Sequence, residues 1–263
     1  MNKTYISSRT NETIVSFSKL KDKKEREIKG LYLCEGFKLC SEAVGITDIK
    51  YVLLRENKAD SEKYIKLCEK SGADVIVLSE GAFDKITTDK ASDGIIFVIK
   101  KEDSGEIKAD DIKNEKICAL DSVRDPGNVG TILRSAAAFG FDRVILWDCA
   151  DLYNPKTVRA SMGALFKIKT SVVSDPLGFI KQLQSSGRRV IATALSDNSM
   201  TLGKSKLMRS DCPVLGNEGH GVSPEIIDVC DATMIIPMSD KTESLNAATA
   251  AAVILWEYGR EEL

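Results

Sequence analysis

Apolar residues fall in short runs along this chain, separated by longer stretches in which charged and apolar positions alternate with helical spacing. Thr10 to Lys29 reads as a charged helix ending at Gly30. Leu31 to Cys34 is a short strand, followed by Glu35-Gly36 and a helix to Val44. Tyr51 to Leu54 is a strand, Ser61 to Lys70 a helix with Gly72 past its end, and Asp74 to Leu78 and Gly94 to Ile99 are further strands. The pattern predicts an alternating α/β domain over residues 1–100. Residues 101–115 are rich in charge and read as a linker to a second domain at 116–263.

The second domain opens with the strand Ile117 to Leu120 and a turn signal in Asp125-Pro126-Gly127-Asn128. Asn128 is read as the N-cap of a helix to Phe139 that Gly140 ends, and the strand Arg143 to Leu146 follows. Strand, helix, strand at this spacing implies a right-handed βαβ unit and a parallel sheet. Val190 to Thr193, Val214-Leu215 and Thr233 to Ile236 read as further strands. Ser223 caps a helix with Pro224 at its first position, and a last helix runs from about Leu245 to Tyr258.

A chain of 263 residues with 43% apolar content can bury one large core or two modest ones. The net charge of −2 is no overall signature for nucleic acid, but the cations are clustered. Lys19, Lys21, Lys23, Lys24, Arg26 and Lys29 crowd one stretch; Lys156, Arg159, Lys167, Lys169, Arg188, Arg189, Lys204, Lys206 and Arg209 form a second. Local basic faces suit phosphate contacts; the first cluster, taken alone, equally suits a solvated helix face. The seven cysteines are odd in number and lack C-x-x-C spacing, which reads as free thiols in a reducing cytoplasm. His220 is the one histidine, so no metal site is expected. No apolar run is long enough to span a membrane.

Three short motifs sit where strands give way to helices: Asn128-Val129-Gly130-Thr131-Ile132-Leu133-Arg134, Gly216-Asn217-Glu218-Gly219-His220-Gly221, and Ser244-Leu245-Asn246-Ala247-Ala248. The G-x-G-x-x-G fingerprint and the P-loop are both missing, which disfavours a nicotinamide or nucleoside-triphosphate enzyme. Arg134 lies early on its helix, against the dipole; by position alone a surface ion pair is slightly favoured over a role at a site. The glycines of the second motif permit a tight loop and close approach of a ligand to the backbone. Ser244 suits a helix cap, whereas Asn246 has no evident structural task.

In this order and spacing the three motifs resemble the SpoU (TrmH-like) ribose methyltransferases of the SPOUT superfamily. The resemblance implies transfer of a methyl group from S-adenosylmethionine to a ribose 2′-hydroxyl of structured RNA. It assigns Arg134 to activating the attacking oxygen, with Asn128, Glu218, Ser244 and Asn246 beside it. It assigns the cofactor to Thr193, Ala194, Leu195, Gly216, Asn217, Gly221, Ile236, Pro237, Met238, Leu245 and Asn246. Two segments, Arg159-Ala160-Ser161-Met162-Gly163-Ala164 and Ala192-Thr193-Ala194-Leu195, also match. Leu33-Cys34-Glu35-Gly36 and Ser92-Asp93-Gly94-Ile95 resemble the family's ribosomal-protein-like RNA-binding domain. The implied fold is α/β: a smaller substrate-binding domain followed by a SPOUT domain whose parallel sheet carries a trefoil knot. The family is homodimeric and acts on RNA; ribosomal RNA is the preferred substrate here and transfer RNA the alternative. A non-catalytic RNA-binding relative and a base methyltransferase are the competing readings.

Overall fold

The computed structural model describes residues 3–89, 91–102, 105–196, 198–241 and 244–260. The chain forms two compact units: Met1–Glu102 with Asp151–Phe166, and Asp103–Ala150 with Lys167–Leu263.

The first unit contains strands β1 (Lys3–Ile6), β2 (Leu31–Glu35), β3 (Ile49–Arg55), β4 (Asp74–Leu78) and β5 (Ile95–Lys100). Its helices are α1 (Glu12–Ser18), α2 (Lys23–Lys29), α3 (Phe37–Ala43), α4 (Glu62–Ser71) and α5 (Glu80–Ile86). The sheet order is β1-β4-β3-β5-β2, with β2 and β3 antiparallel to β5 and the remaining pairs parallel. On one face Ile14, Phe17, Phe83 and Ile86 cover Leu33, Leu53, Ile76 and Ile96. The alternate residues Cys34, Val52, Leu54 and Phe97 are buried too, which is why these strands read as continuous apolar runs.

The long charged helix expected over 10–29 is instead two helices and a short turn. Asp22 adopts an extended conformation and its carboxylate accepts the Lys24 N–H at 3.2 Å, capping a new helix. The break turns Arg26 inward. The residue is 1% exposed; its Nε and Nη2 donate to Asp151 Oδ2 at 2.9 and 2.6 Å, and Nη1 donates to the carbonyls of Leu20 and Lys21. Lys21 and Lys29 likewise donate to backbone carbonyls, so much of the first basic cluster holds the fold together.

The second unit has seven parallel strands in the order β10-β12-β9-β11-β6-β7-β8: β6 (Ile117–Asp121), β7 (Arg143–Trp147), β8 (Lys169–Val172), β9 (Val190–Thr193), β10 (Met200–Thr201), β11 (Cys212–Leu215) and β12 (Ala232–Ile235). Helix α6 (Pro126–Ala138) joins β6 to β7; α7 (Pro155–Ala160) lies in the segment assigned to the first unit; α8 (Pro176–Ser185), α9 (Pro224–Ile227) and α10 (Ala247–Gly259) follow. Phe179, Ile180 and Leu183 of α8 and Ile226 of α9 pack on Ile117, Ala119, Val190, Ala192 and Val214. The alternate sheet residues Cys118, Leu120, Val144 and Ile191 are fully buried, and α6 packs along α10. Ala109 and Ile112, in the charge-rich stretch after residue 100, are buried in the same core as α8. The second basic cluster is largely committed as well. Arg188 is 4% exposed and donates to the carbonyls of Ser210, Ile112, Lys113 and Glu115. Arg189 pairs with Asp211, and Lys169 with Glu115. No helix among the described residues is long and apolar enough to cross a membrane.

A buried guanidinium stripped of its carboxylate is costly, by about 3–5 kcal/mol. Asp151→Ala is therefore expected to lower the urea midpoint of the unit that contains Arg26 by a corresponding amount, whereas Lys23→Ala, at an exposed ion pair with Glu27, leaves it within error.

Candidate active site

From β6 the chain steps to β7 and β8 on one side, then returns to β9 on the other, and β11 later fills the place between β9 and β6. In a parallel sheet such a reversal leaves a crevice outside the carboxyl ends of the strands, where the flanking loops diverge. The loops after β6, β9, β11 and β12 all leave from that end.

The β6 loop is locked first. Ser122 has φ +56°, a left-handed conformation that a side-chain-bearing residue adopts at a cost. Its carbonyl accepts Asn217 Nδ2 at 2.7 Å, which ties the β6 loop to the β11 loop. Asp121, 2% exposed, accepts Trp147 Nε1 at 3.0 Å on one oxygen and the Ser223 N–H at 2.6 Å on the other. Neither residue was singled out from the sequence. The only available signal for Asp121 was a carboxylate ending an otherwise apolar strand.

Helix α6 begins earlier than expected. Asp125, not Asn128, is its N-cap, accepting the Asn128 N–H at 3.0 Å, with Pro126 in the first turn where a missing N–H is harmless. With Asp125 as the cap, the Asn128 side chain is left for other partners. Its Nδ2 donates to Glu218 Oε1 at 2.7 Å, and its Oδ1 accepts Asn246 Nδ2 at 3.2 Å. The last helix is also capped differently: Asn246, not Ser244, accepts the N–H groups of Ala248 and Thr249, at 2.9 and 3.3 Å. Asn246 thus has the structural task that the sequence did not suggest, and its other end reaches the site.

The β11 loop closes on itself through paired backbone bonds between Asn217 and Gly221, at 2.8 and 3.0 Å. A Cβ on Gly216 would lie 2.1 Å from the Gly221 carbonyl carbon, so only glycine fits there. Asn217 Oδ1 accepts the Gly219 N–H at 2.8 Å. Burial pushes the Glu218 carboxyl upward. Hydrogen bonds from Asn128 and from the N–H groups of Glu218, Asp125 and Arg124 outweigh this and hold its pKa below the ordinary value.

Thr193 Oγ1 donates to the Val214 carbonyl at 2.9 Å, bracing β9 against β11. Ala194 N–H donates to the Met234 carbonyl at 3.1 Å. Leu195 is 85% exposed and Met238 44% exposed, with Pro237 exposed and Ile236 and Leu245 half-buried. Ser244 is exposed on the approach to α10. Arg134 lies on the outer face of α6, exposed, without a hydrogen bond or ion pair among the described residues. The geometry therefore links Asn128, Glu218 and Asn246 directly and leaves Arg134 outside that network.

A parallel α/β domain with three polar motifs joined at its switch point defines a candidate ligand site at the carboxyl ends of the strands. The chain belongs to the SpoU rRNA methylase family, whose model matches residues 115–256. An MRM3-like substrate binding domain matches residues 11–96. Over 253 residues the chain is 32% identical to the 23S rRNA (guanosine(2553)-2′-O)-methyltransferase RlmP of Bacillus subtilis (strain 168), spanning 95% of this chain and 97% of that one. The crystal structure of an rRNA methyltransferase from Sinorhizobium meliloti superposes with a TM-score of 0.87 at 28% identity, covering 100% of both chains. Its AdoMet-bound form gives 0.84 at 28% identity over 99% of each.

The folded pKa of Glu218 is depressed, so this group adds stability above its unfolded pKa, near 4.5, and the contribution disappears as pH falls through the lower folded value. Urea midpoints measured between pH 6 and pH 3 should fall less steeply in Glu218→Gln than in the native chain. Parallel curves would show that the carboxylate network does not stabilise the folded state.

Proposed function

We propose that this protein transfers the methyl group of S-adenosylmethionine to a ribose 2′-hydroxyl of ribosomal RNA. The observation that carries the reading is the hydrogen-bonded chain Asn246–Asn128–Glu218, which joins all three motifs at one end of one parallel sheet. The relative that matches the chain over nearly its full length acts on 23S rRNA at a ribose oxygen, which favours ribosomal over transfer RNA.

In this reading the backbone of Gly216, Asn217 and Gly221 and the Thr193–Ala194 strand end cradle the cofactor. Leu195, Ile236, Pro237, Met238 and Leu245 cover its apolar part. When bound, the cofactor supplies a methyl group on a sulfonium centre that leaves as a neutral thioether. The protein's task is to align a hydroxyl with that group and ease loss of its proton. Alignment alone is worth up to ~7–11 kcal/mol in favourable cases. A guanidinium holds its proton too tightly to act as the base. Arg134, with no partner among the described residues, instead donates to the developing alkoxide and lowers its energy. Glu218 fixes the Asn128 amide, Asn128 in turn orients Asn246, and Ser244 lies two residues ahead on the same approach. The first unit holds the RNA, and a single accessible nucleotide in a loop or bulge is the target.

The chain works as a homodimer in the cytoplasm, where its seven free thiols stay reduced, and it carries the superfamily's trefoil knot in the second unit. Support for the dimer lies on α10, where Val253 and Trp256 are 39% and 48% exposed on one helical stripe that a second copy would cover. Trp256→Glu is expected to shift the sedimenting species from dimer to monomer; an unchanged dimer would assign that stripe to another role.

The deciding experiment supplies labelled S-adenosylmethionine with separate pools of unmodified ribosomal and transfer RNA. Label should enter the ribosomal pool as an alkali-resistant 2′-O-methylated dinucleotide. Arg134→Ala should lose about 100- to 1000-fold in rate while still binding the cofactor. Full activity in that variant would remove Arg134 from the mechanism, and label in the transfer pool alone would reassign the substrate.

A further inference from the structure

The first unit carries a positively charged cluster that its own fold does not neutralise. Phe37 opens α3 and Tyr64 lies in α4; their rings meet edge to face with centroids 5.1 Å apart. Lys63 Nζ stands 4.7 Å from the Phe37 centroid and 5.0 Å from that of Tyr64, and Lys58 Nζ stands 5.9 Å from the Tyr64 centroid. The platform beneath them is rigid. Tyr64 is buried and donates its hydroxyl to the Asp93 carbonyl at 2.7 Å, while the Asp93 carboxylate accepts the Phe37 N–H at 3.1 Å. Gly94, at φ +85°, lets the Lys58 stem lie against the backbone, since a Cβ there would come within 2.9 Å of Lys58 Cγ.

Lys23, Lys29, Lys50 and Lys66 of the same unit each pair with an acid. Lys58 and Lys63 have no such partner among the described residues, and neither does Lys38 beside Phe37. Two ammonium groups sharing one ring repel each other. An aromatic face attracts a cation but leaves its charge intact. The fold therefore sets like charges side by side with no ion pair to either among the described residues, an arrangement that suits a pair of anions on one flexible or extended partner.

We propose that Lys58 and Lys63, seated on the rings of Tyr64 and Phe37, form the phosphodiester clamp by which the first unit grips its RNA strand. The proposal rests on the RNA methyltransferase reading and names where that substrate is held. Ammonium groups bind phosphate as point charges and position the strand without reading its sequence. The adjoining hollow is lined by Glu35, Asp89, Asp93 and Arg159; Asp89 is paired with Arg159, and the carboxylates of Glu35 and Asp93 favour the strand on the lysine side. Lys38, exposed at the next position after Phe37, extends the clamp by one charge.

The test is fluorescence anisotropy on the full chain with a short labelled single-stranded oligoribonucleotide of mixed sequence, in a salt series. Lys58→Gln with Lys63→Gln should weaken binding about tenfold and reduce the log–log salt slope by about 1.4, at roughly 0.7 per phosphate contact on a single strand. Phe37→Leu should cost less than the double change, because it loosens Lys63 without removing its charge. Unchanged affinity and slope in the double variant would overturn the clamp. So would a poly-glutamate peptide that binds as tightly as the oligonucleotide and is lost with the same substitutions, since the partner would then be an acidic protein. Calorimetry with S-adenosylmethionine and the labelled-methyl assay separate this from the activity. A chain that methylates RNA with an unaltered salt slope loses the clamp alone. One that binds RNA through these lysines but neither binds the cofactor nor transfers methyl loses the methyltransferase reading and keeps the clamp.

Discussion

One oxygen of Glu218 organises the site. It accepts the Asn128 amide at 2.7 Å and faces the Asp125 N–H at 3.4 Å, so a residue from the β11 loop holds the start of α6. That contact exists because β11 is hydrogen-bonded to β6 in the sheet, although the two strands are about ninety residues apart in the chain. Asn217 repeats the bond one residue earlier, reaching the Ser122 carbonyl. Asn246 then adds the third motif through the Asn128 oxygen. With the carboxylate below its ordinary pKa, Glu218 is ionised at neutral pH and acts as a fixed acceptor, the state in which it can orient two amides at once.

The amides divide their labour between fold and site. Asn246 uses its oxygen to cap α10 and its nitrogen to reach Asn128. Asn128 is held through its backbone N–H by the Asp125 cap while its side chain bridges two other elements. Positions so doubly constrained tolerate little change, because losing one partner leaves the other misaligned. Arg134 is the opposite case: it has no partner within the described part of the chain and stands exposed on α6, which leaves its guanidinium available to a group brought from outside.

A similar division runs through the basic residues. In sequence they form two clusters of equal promise. In the structure Arg26 and Arg188 are buried donors to carbonyls, and Lys21, Lys29, Lys169 and Arg189 are bonded to neighbours. Lys58 and Lys63, which no cluster in the sequence picked out, stand together on aromatic rings with their charges unpaired among the described residues. Charge density along the chain measures supply; only the positions of the acids decide how much remains for a partner.

The sequence by itself determined the strands of both sheets that are buried on two faces, since Ile117 to Leu120 or Ile95 to Ile99 have no polar side to offer water. It also determined the three motifs, because glycine at 216 and asparagine at 128 and 246 stand out against helical and strand propensity. It missed β1, whose Lys3-Thr4-Tyr5 run lies exposed at a sheet edge, along with α5, α7, β8, α8 and β10. It also misread both helix caps, because Asp125 and Asn128, like Ser244 and Asn246, are each plausible from local chemistry. Tertiary structure chose between them: the Asn128 oxygen that would cap accepts from Asn246 instead, while its nitrogen holds Glu218, and partners ninety or more residues away are invisible to any local pattern. Strand order, the joining of the motifs and the fate of each charge were decided there, because those contacts depend on which distant segments are neighbours in the sheet.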